Sequence, residues 1–452
     1  MGTARRLRIA FAVDLLDGTS NGGVVSARRF VAALSERHDV TVLATGPGAS
    51  PHAELPAFTV PPFGRVMREM GFRFAWPRQE VLERVIGGAD LLHVQFPFLL
   101  GVRATAVARR LGTPVVAASH VQPENLFLNV GLRSAALAEW TWRLFLRTVY
   151  QRADTVICPS EFARAELVRR GLRIRTEVVS NGIAPAFVPG RAERPARHRD
   201  RFLLLAVGRL AREKRLDVVV EGVRRSRHAS EIQLVVVGSG PRAASVRARA
   251  ATLPVPGEVG PVSDAELLRL LRTADLMVHA SELELEGMAV LEALGCGLPA
   301  LVADAPLSAA RHLALDDDLR FTAGDPDRLA RRLDALIEDP DRRASLRERA
   351  LEVATGLTLQ RSVARLEAVY ARAARGARRA GAPRDRSAAW ALAVHEPERA
   401  RQRREVRDHG EQEGPGGLEA ELSERWEARE REPQEAGRVD QGREEDGAPR
   451  DP

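Results

Sequence analysis

The chain has 452 residues, 44% hydrophobic and 29% charged, enough apolar material for two or three domains with cores of their own, which excludes a fibrous or wholly disordered chain. Cys158 and Cys296 stand far apart with no CxxC pair, excluding a disulfide framework and a thiolate metal cluster. The net charge of +7 is uneven: from Gly376 onward 15 Arg stand against 19 Asp and Glu, about −4, leaving about +11 on the body before it, which suits anionic partners such as nucleotide phosphates, an acidic membrane surface or nucleic acid.

In chain order, LRIAFAV (Leu7 to Val13) reads as a buried strand, and SNGGVVSARRF after it opens a helix in which Gly22 and Gly23 permit close backbone approach to a phosphate or sugar. The start carries no cleavage site and puts Asp14 directly after the apolar stretch, so the expected location is the cytoplasm. The strand VTVLAT follows, then Pro61 to Gln79, where Arg65, Arg68, Arg73 and Arg78 interleave with Phe63, Met67, Met70, Phe72, Phe74 and Trp76. Arg133, Trp140, Trp142, Arg143, Phe145 and Arg147 repeat that texture, which fits an anionic membrane surface and equally a core with arginines on its wet face. No apolar run reaches the roughly 20 residues that cross a bilayer; the best, Leu91 to Val102, is broken by His93, Gln95, Pro97 and Gly101.

The strands ADLLHVQ, PVVAAS, ADTVICPS and TEVVSN continue the first half. His120, ending one of them, stands beside Gln122, Glu124 and Asn125; it reads as a functional loop residue or as a satisfied core histidine. Ser160 is placed to cap a helix, and Asn181-Gly182 to make a turn before a Pro- and Arg-rich linker that ends near Arg201. The same alternation of strand and helix restarts with RFLLLAVG, EIQLVVVG, ADLMVHAS and LPALVAD, the grammar of two doubly wound parallel sheets in tandem. Of 68 basic residues one is a lysine, Lys214, just after the first strand of this second half.

The most informative stretch is HASELELEGMAVLEALGCGLPALVAD. A strand ends, an acidic loop with Glu282, Glu284 and Glu286 follows, and Gly287 opens a helix through Glu292, whose first amides, at Gly287, Met288 and Ala289, point at an anion. Glu284 and Glu292 can face one cleft, one for sugar hydroxyls and one for a ribose diol; equally, acids near a helix start merely complement its dipole. Val363, Leu366, Val369 and Tyr370 give Thr358 to Ala377 the spacing of a last packed helix, and the residues beyond, rich in Arg and Glu and poor in aliphatics, are expected to be disordered. The expected division is a first domain over 1–190, a second over 191–356, a crossover helix over 357–377 and a charged tail over 378–452.

These segments resemble the retaining nucleotide-sugar glycosyltransferases of the GT-B fold, family 4 (group 1), whose signature is two glutamates separated by seven residues, as in Glu284-LEGMAVL-Glu292. The resemblance covers about residues 7 to 375. It implies an α/β chain of two tandem Rossmann-like domains facing a cleft, with Arg209 and Lys214 on the donor diphosphate opposite the Gly22-Gly23 loop. It further implies Glu284 on the sugar hydroxyls, Glu292 on the ribose, His120 near the donor sugar and acceptor, and GEVGPVSDAELL around the base. The implied partners are a nucleoside-diphosphate sugar and a hydroxyl acceptor, with a lipid at an anionic membrane surface as one acceptor class, and no specific nucleic acid. No DxD-like pair lies in a suitable loop, so no metal and no cofactor beyond the co-substrate are expected. Many members have an aromatic residue where Glu286 stands, which leaves the sugar pocket open.

Other readings remain. Gly238-x-Gly240-x-x-Ala243 mimics a dinucleotide fingerprint, for which an NAD-dependent oxidoreductase needs an acid about twenty residues on, near Glu258 in LPVPGEVG. A phosphorylase using pyridoxal phosphate on the same fold would need Lys214 as its Schiff base. A non-enzymatic nucleic-acid or scaffold protein would use the basic body, but leaves the Glu284/Glu292 and Arg209/Lys214 pairs unexplained.

Overall fold

The computed structural model describes residues 5–17, 21–46, 52–60, 64 and 72–379, all within one compact unit, Met1–His395. Residues 380–452 of the expected tail, and Phe63, Arg65, Met67, Arg68 and Met70, lie outside the described residues.

The first half is built on β1 (Arg8–Leu15), β2 (Asp39–Thr45), β3 (His52–Leu55), a two-residue antiparallel pair of β4 (Ala57–Phe58) with β5 (Phe74–Ala75), then β6 (Leu91–Val94), β7 (Val115–Ala118), β8 (Thr155–Cys158) and β9 (Thr176–Val178). Seven of these form a parallel sheet in the order β3-β2-β1-β6-β7-β8-β9. Its helices are α1 (Gly22–Ser35), α2 (Gln79–Gly88), α3 (Leu99–Leu111), α4 (Pro123–Asn129), α5 (Ala135–Thr148) and α6 (Glu161–Arg169). The strands read as unbroken apolar runs because both faces are covered: seven of the eight residues of β1 are buried.

The second sheet contains β10 (Phe202–Val207), β11 (Ile232–Val237), β12 (Glu258–Gly260), β13 (Leu276–His279), β15 (Ala300–Asp304) and β17 (Arg320–Thr322), while β14 (Leu283–Glu284) and β16 (Leu307–Ser308) lie outside it. Its order is β12-β11-β10-β13-β15-β17, while β14 pairs with β16 alone, so the acidic segment expected as a loop is a two-residue strand at Glu284. The helices are α7 (Leu216–Arg225), α8 (Ala243–Ala250), α9 (Asp264–Thr273), α10 (Met288–Gly295), α11 (Pro326–Glu338), α12 (Pro340–Thr355) and α13 (Leu359–Arg379). Val363, Leu366, Val369 and Tyr370 of α13 are buried in the core of the first half, not the second.

The chain therefore crosses between the halves twice, and the crossings lie side by side. Ile183 N–H donates to Leu357 O at 2.7 Å and Leu359 N–H returns to Ile183 O at 2.9 Å. Gly182 turns there at φ +71°, with Leu359 Cα 2.6 Å from where a Cβ would stand.

The glycine fingerprint has a packing explanation. A Cβ on Gly238 would stand 2.0 Å from Gly208 O, and one on Gly240 2.7 Å from Leu210 O, so both glycines let the turn after β11 lie against the turn after β10. The acid that the dinucleotide reading requires is at the wrong end of its strand: Glu258 starts β12, while Gly260 at its far end faces Gly238, and its carboxylate is held by Arg197 at 3.0 Å and His198 at 2.8 Å. Gly238→Ala adds a Cβ against rigid backbone at a φ of +150°, so it should lower unfolding stability by about 2–3 kcal/mol, measured as a reduced denaturant midpoint.

Candidate functional site

In an open parallel sheet the usable crevice opens where the strand order reverses, beyond the carboxyl ends of the strands. In the second sheet that point lies between β10 and β13, and the turns after those strands carry the candidate donor residues. In the first sheet it lies between β1 and β6, and the turn after β1 carries Gly22 and Gly23.

After β10, Arg209 precedes a single turn of 3-10 helix, Arg212–Lys214, which Lys214 ends. Arg209 Nη2 donates to Glu213 Oε1 at 2.6 Å; Glu213 is fully buried, and its Oε2 and the Arg209 Nε have no partner among the described residues. Lys214 Nζ donates to Glu284 Oε1, which also lies 3.1 Å from His279 Nε2 at the end of β13. Burial alone would raise the Glu284 pKa, but the Lys214 ammonium and the His279 contact outweigh it and hold the carboxyl well below its ordinary value. Arg215, next in the chain, adopts φ +45°, the one non-glycine at positive φ among the described residues, and its guanidinium is held by Glu282 and Asp217. That geometry starts α7 without moving Lys214 out of the crevice.

α10 starts at Gly287, whose φ of +106° and closeness to Ala310, 2.9 Å from a built Cβ, both require glycine. No side chain caps this helix, so the amides of Met288 and Ala289 remain open. Three positions of α1, spaced i, i+4 and i+7, address this unit from the other half. A Cβ on Gly22 would touch Met288 Sδ at 3.4 Å. Ser26 Oγ donates to Asn181 Oδ1 at 2.5 Å, and Asn181 donates to Glu286 Oε2 through Nδ2 at 2.7 Å and its backbone N–H at 3.1 Å. Arg29 Nη2 donates to Glu292 Oε1 at 2.6 Å. On the other side of the site, Ser160 caps α6 as its sequence implies and also donates to Leu285 O, while Gln122 Nε2 donates to Leu307 O.

Glu284 and Glu292 are therefore brought to different partners rather than to one shared group. Gly23 serves packing more than anion contact: its N–H already donates to the capping Asn21 side chain at 3.0 Å, and its missing Cβ makes room for the Phe96 ring. His120 has no hydrogen-bond partner among the described residues, and burial, with His93 nearby, pulls its pKa down to about 3, so it is a neutral imidazole. Beside it α4 packs against the turn that bears Lys214.

Sequence reasoning missed Arg29, Asn181 as a bridging residue, and a relay behind Gly23. Gln95 Nε2 donates to Gly23 O at 2.8 Å, which turns its Oε1 toward His93 Nε2 at 3.0 Å, so that nitrogen carries the proton and Nδ1 accepts from the Tyr370 hydroxyl at 2.8 Å. The i, i+4, i+7 spacing of Gly22, Ser26 and Arg29 was a readable signal of a helix face. What it faces was not readable.

Two family models match in tandem: Glycosyltransferase Family 4 over residues 20–187 and Glycosyl transferases group 1 over residues 191–353. The chain is 28% identical over 277 residues to an alpha-monoglucosyldiacylglycerol synthase of Streptococcus pneumoniae, covering 56% of this chain and 60% of that one. It is 30% identical over 221 residues to a GDP-mannose-dependent alpha-mannosyltransferase of Mycobacterium tuberculosis, covering 48% and 56%. The chain thus spans less than two thirds of the length of either relative. In fold it is similar to Anabaena HepE in complex with UDP-glucose, with a TM-score of 0.65, 17% identity, and 81% of this chain and 100% of that one covered.

Glu286 offers a direct test of the bridging network. Burial raises its carboxyl from 4.5 to about 7 against the hydrogen bonds from Ser180 and Asn181. A raised folded-state pKa means that the fold binds this proton more tightly than the unfolded chain, so the resulting stability is full below about pH 4.5 and lost as pH rises through 7. Glu286→Gln, which is neutral at every pH, should gain stability relative to the parent by about 2–3 kcal/mol between pH 4.5 and 8. Denaturant unfolding of both proteins at each pH measures the difference, in which the buried Asp14, also raised to about 7, cancels.

Proposed function

Because the chain belongs to the glycosyltransferases of family 4 and group 1, whose two models match its two halves in order, we propose that it is a retaining, metal-independent glycosyltransferase. It moves a sugar from a nucleoside-diphosphate sugar to a hydroxyl acceptor. The observation that carries this reading is the meeting of Lys214, the single lysine of the chain, with Glu284 at the crevice of the second sheet, beside the open start of α10.

In this reading the diphosphate lies between Arg209, Lys214 and the α10 amides, and the glycines after β1 allow the opposite half to close over it. As the bond from the sugar's anomeric carbon to the diphosphate oxygen breaks, its electron pair goes to that oxygen, and the fixed positive charge stabilises it without reorganisation. The compact Lys214 ammonium can follow the shifting charge, which a planar guanidinium does less well. The acceptor oxygen bonds to the anomeric carbon on the face the diphosphate leaves, and its proton passes to the departing phosphate. Glu284 holds sugar hydroxyls, Glu292 the ribose diol, and neutral His120 the sugar. Fixed cations and helix amides serve where other transferases use a divalent ion, so activity should survive EDTA.

We further propose a lipid-linked acceptor at an anionic membrane surface on the cytoplasmic side. Support comes from the diacylglycerol named in the Streptococcus relative and from α5, where Trp140 (59% exposed), Leu144, Arg143 and Arg147 share one outer face, while Trp142 and Phe145 turn into the core. Trp76 is likewise exposed on the first half. No helix among the described residues is long and apolar enough to cross a membrane.

Two measurements check these proposals. In a thermal-shift panel of UDP, GDP, ADP and NADH, one nucleoside diphosphate at a hundred times its Kd should stabilise the protein by about 2.7 kcal/mol, and Lys214→Ala should abolish most of that shift; a shift with NADH alone would remove the reading. Sedimentation with phosphatidylglycerol vesicles should fall at least tenfold when Trp140, Arg143 and Arg147 are replaced by Ser, since each basic residue near such a surface contributes about 1 kcal/mol. Equal sedimentation of both proteins would rule out this face.

A further inference from the structure

Arg29 is on α1 in the first half, and its partner Glu292 is inside α10 in the second. Both are largely enclosed, with side chains 17% and 12% exposed. The Arg29 guanidinium also sits 5.5 Å over the Phe187 ring, on the strand of chain that joins the halves. Two further facts distinguish this pair from an ordinary interface ion pair. Arg29 Nη1 is buried with no partner among the described residues, and Glu292 Oε2 has none there either. One donor and one acceptor of this pair are thus left without a protein partner, at the carboxylate to which the proposed function gives a vicinal diol. A diol has one hydroxyl to donate to the carboxylate and another to accept from the guanidinium, and it is the group that satisfies both.

Charge points the same way. Burial pushes the Glu292 carboxyl toward its neutral form, and Asp264 at the start of α9 adds to that; Arg29 is the opposing influence. Without Arg29 the carboxylate loses the cation that keeps it a strong acceptor.

We propose that Arg29 is a positioning residue of the nucleotide site: delivered from the first half, it holds the Glu292 carboxyl in orientation and, with it, completes recognition of the ribose diol. The proposal rests on the reading of Glu292 as the ribose carboxylate. It makes discrimination between ribose and 2′-deoxyribose depend on a side chain from the first half. A merely structural pair would act differently, weakening every nucleotide alike when broken.

The test is calorimetric binding of UDP, GDP and ADP and of their 2′-deoxy counterparts to the full chain, with Arg29→Met, Arg29→Lys and Glu292→Gln. For the diphosphate that binds, removal of the 2′-hydroxyl should cost the parent protein about tenfold or more, the range of a hydrogen bond to a charged group. Arg29→Met should reduce that ratio to within about threefold, Arg29→Lys should restore part of it, and adding Glu292→Gln to Arg29→Met should change it no further. An unchanged ratio in Arg29→Met, with both forms weakened equally, overturns the proposal and leaves the transferase reading standing. Failure of the parent to bind any of the three diphosphates overturns the reading and the proposal together. If Arg29→Met does not melt cooperatively, Arg29→Lys decides: a reduced ratio supports the proposal and the parental ratio overturns it.

Discussion

One face of α1 is the constraint on which the site depends. Gly22, Ser26 and Arg29 recur at i, i+4 and i+7, so they form a straight row along a helix that addresses the acidic segment and α10 of the other half: Gly22 leaves space beside Met288, Ser26 reaches Glu286 through Asn181, and Arg29 reaches Glu292. The opposite face of α1, with Val24, Ala27, Phe30 and Leu34, is locked into the first core. The helix thus behaves as a rigid ruler between two sheets. A rotation of one half against the other would break an ion pair and a buried hydrogen-bond chain together.

The same row explains how three glutamates within nine residues differ so widely. Glu284 is ionised because Lys214 and His279 face it; Glu286, given only neutral donors, is pushed up to about 7; Glu292 is raised by burial against the pull of Arg29. Environment, not residue type, separates them. Glu286, which stands where many members of the family have an aromatic residue, turns to the Asn181 bridge, so its presence is a matter of how the halves join.

Much of the fold was legible because its signals are local. Strands buried on both faces appear as unbroken apolar runs, and the helix starts at Ser160 and Gly287 announce themselves by residue type. One segment differs from its expected state: Leu283–Glu284 is a strand of two residues rather than a loop, too short for any periodicity, and exists only because a partner strand lies alongside. In the site, the residues that motif spacing singled out are present at the crevice edges, yet their partners were illegible: Arg29 lies 263 positions before Glu292, and 105 positions separate Asn181 from Glu286. An arginine in an Arg-rich helix carries no mark of its own. Gly238 and Gly240 show the converse, a motif that looked like ligand binding and is explained by two turns in contact.

The relay behind Gly23 shows how the last helix can matter to a site it does not touch. Tyr370 comes from α13, at the far end of the described chain, and its hydroxyl proton orients a sequence of bonds through His93 and Gln95 that ends on the carbonyl of the second residue of α1. Every member is buried, and burial pulls the His93 pKa down to about 4, so the imidazole stays neutral and the direction of the bonds is fixed throughout the physiological range. Because Phe11 stacks on the same ring at 4.1 Å, the relay is also anchored in β1. The start of α1 is thereby held from behind by β1, β6 and α13, while its outer row reaches Glu286, through Asn181, and Glu292 in front. Since α13 follows the second crossing at Leu357–Leu359, a shift at the joint between the halves moves the helix that sets the relay, and the place where the halves are tied becomes mechanically continuous with the place where they meet.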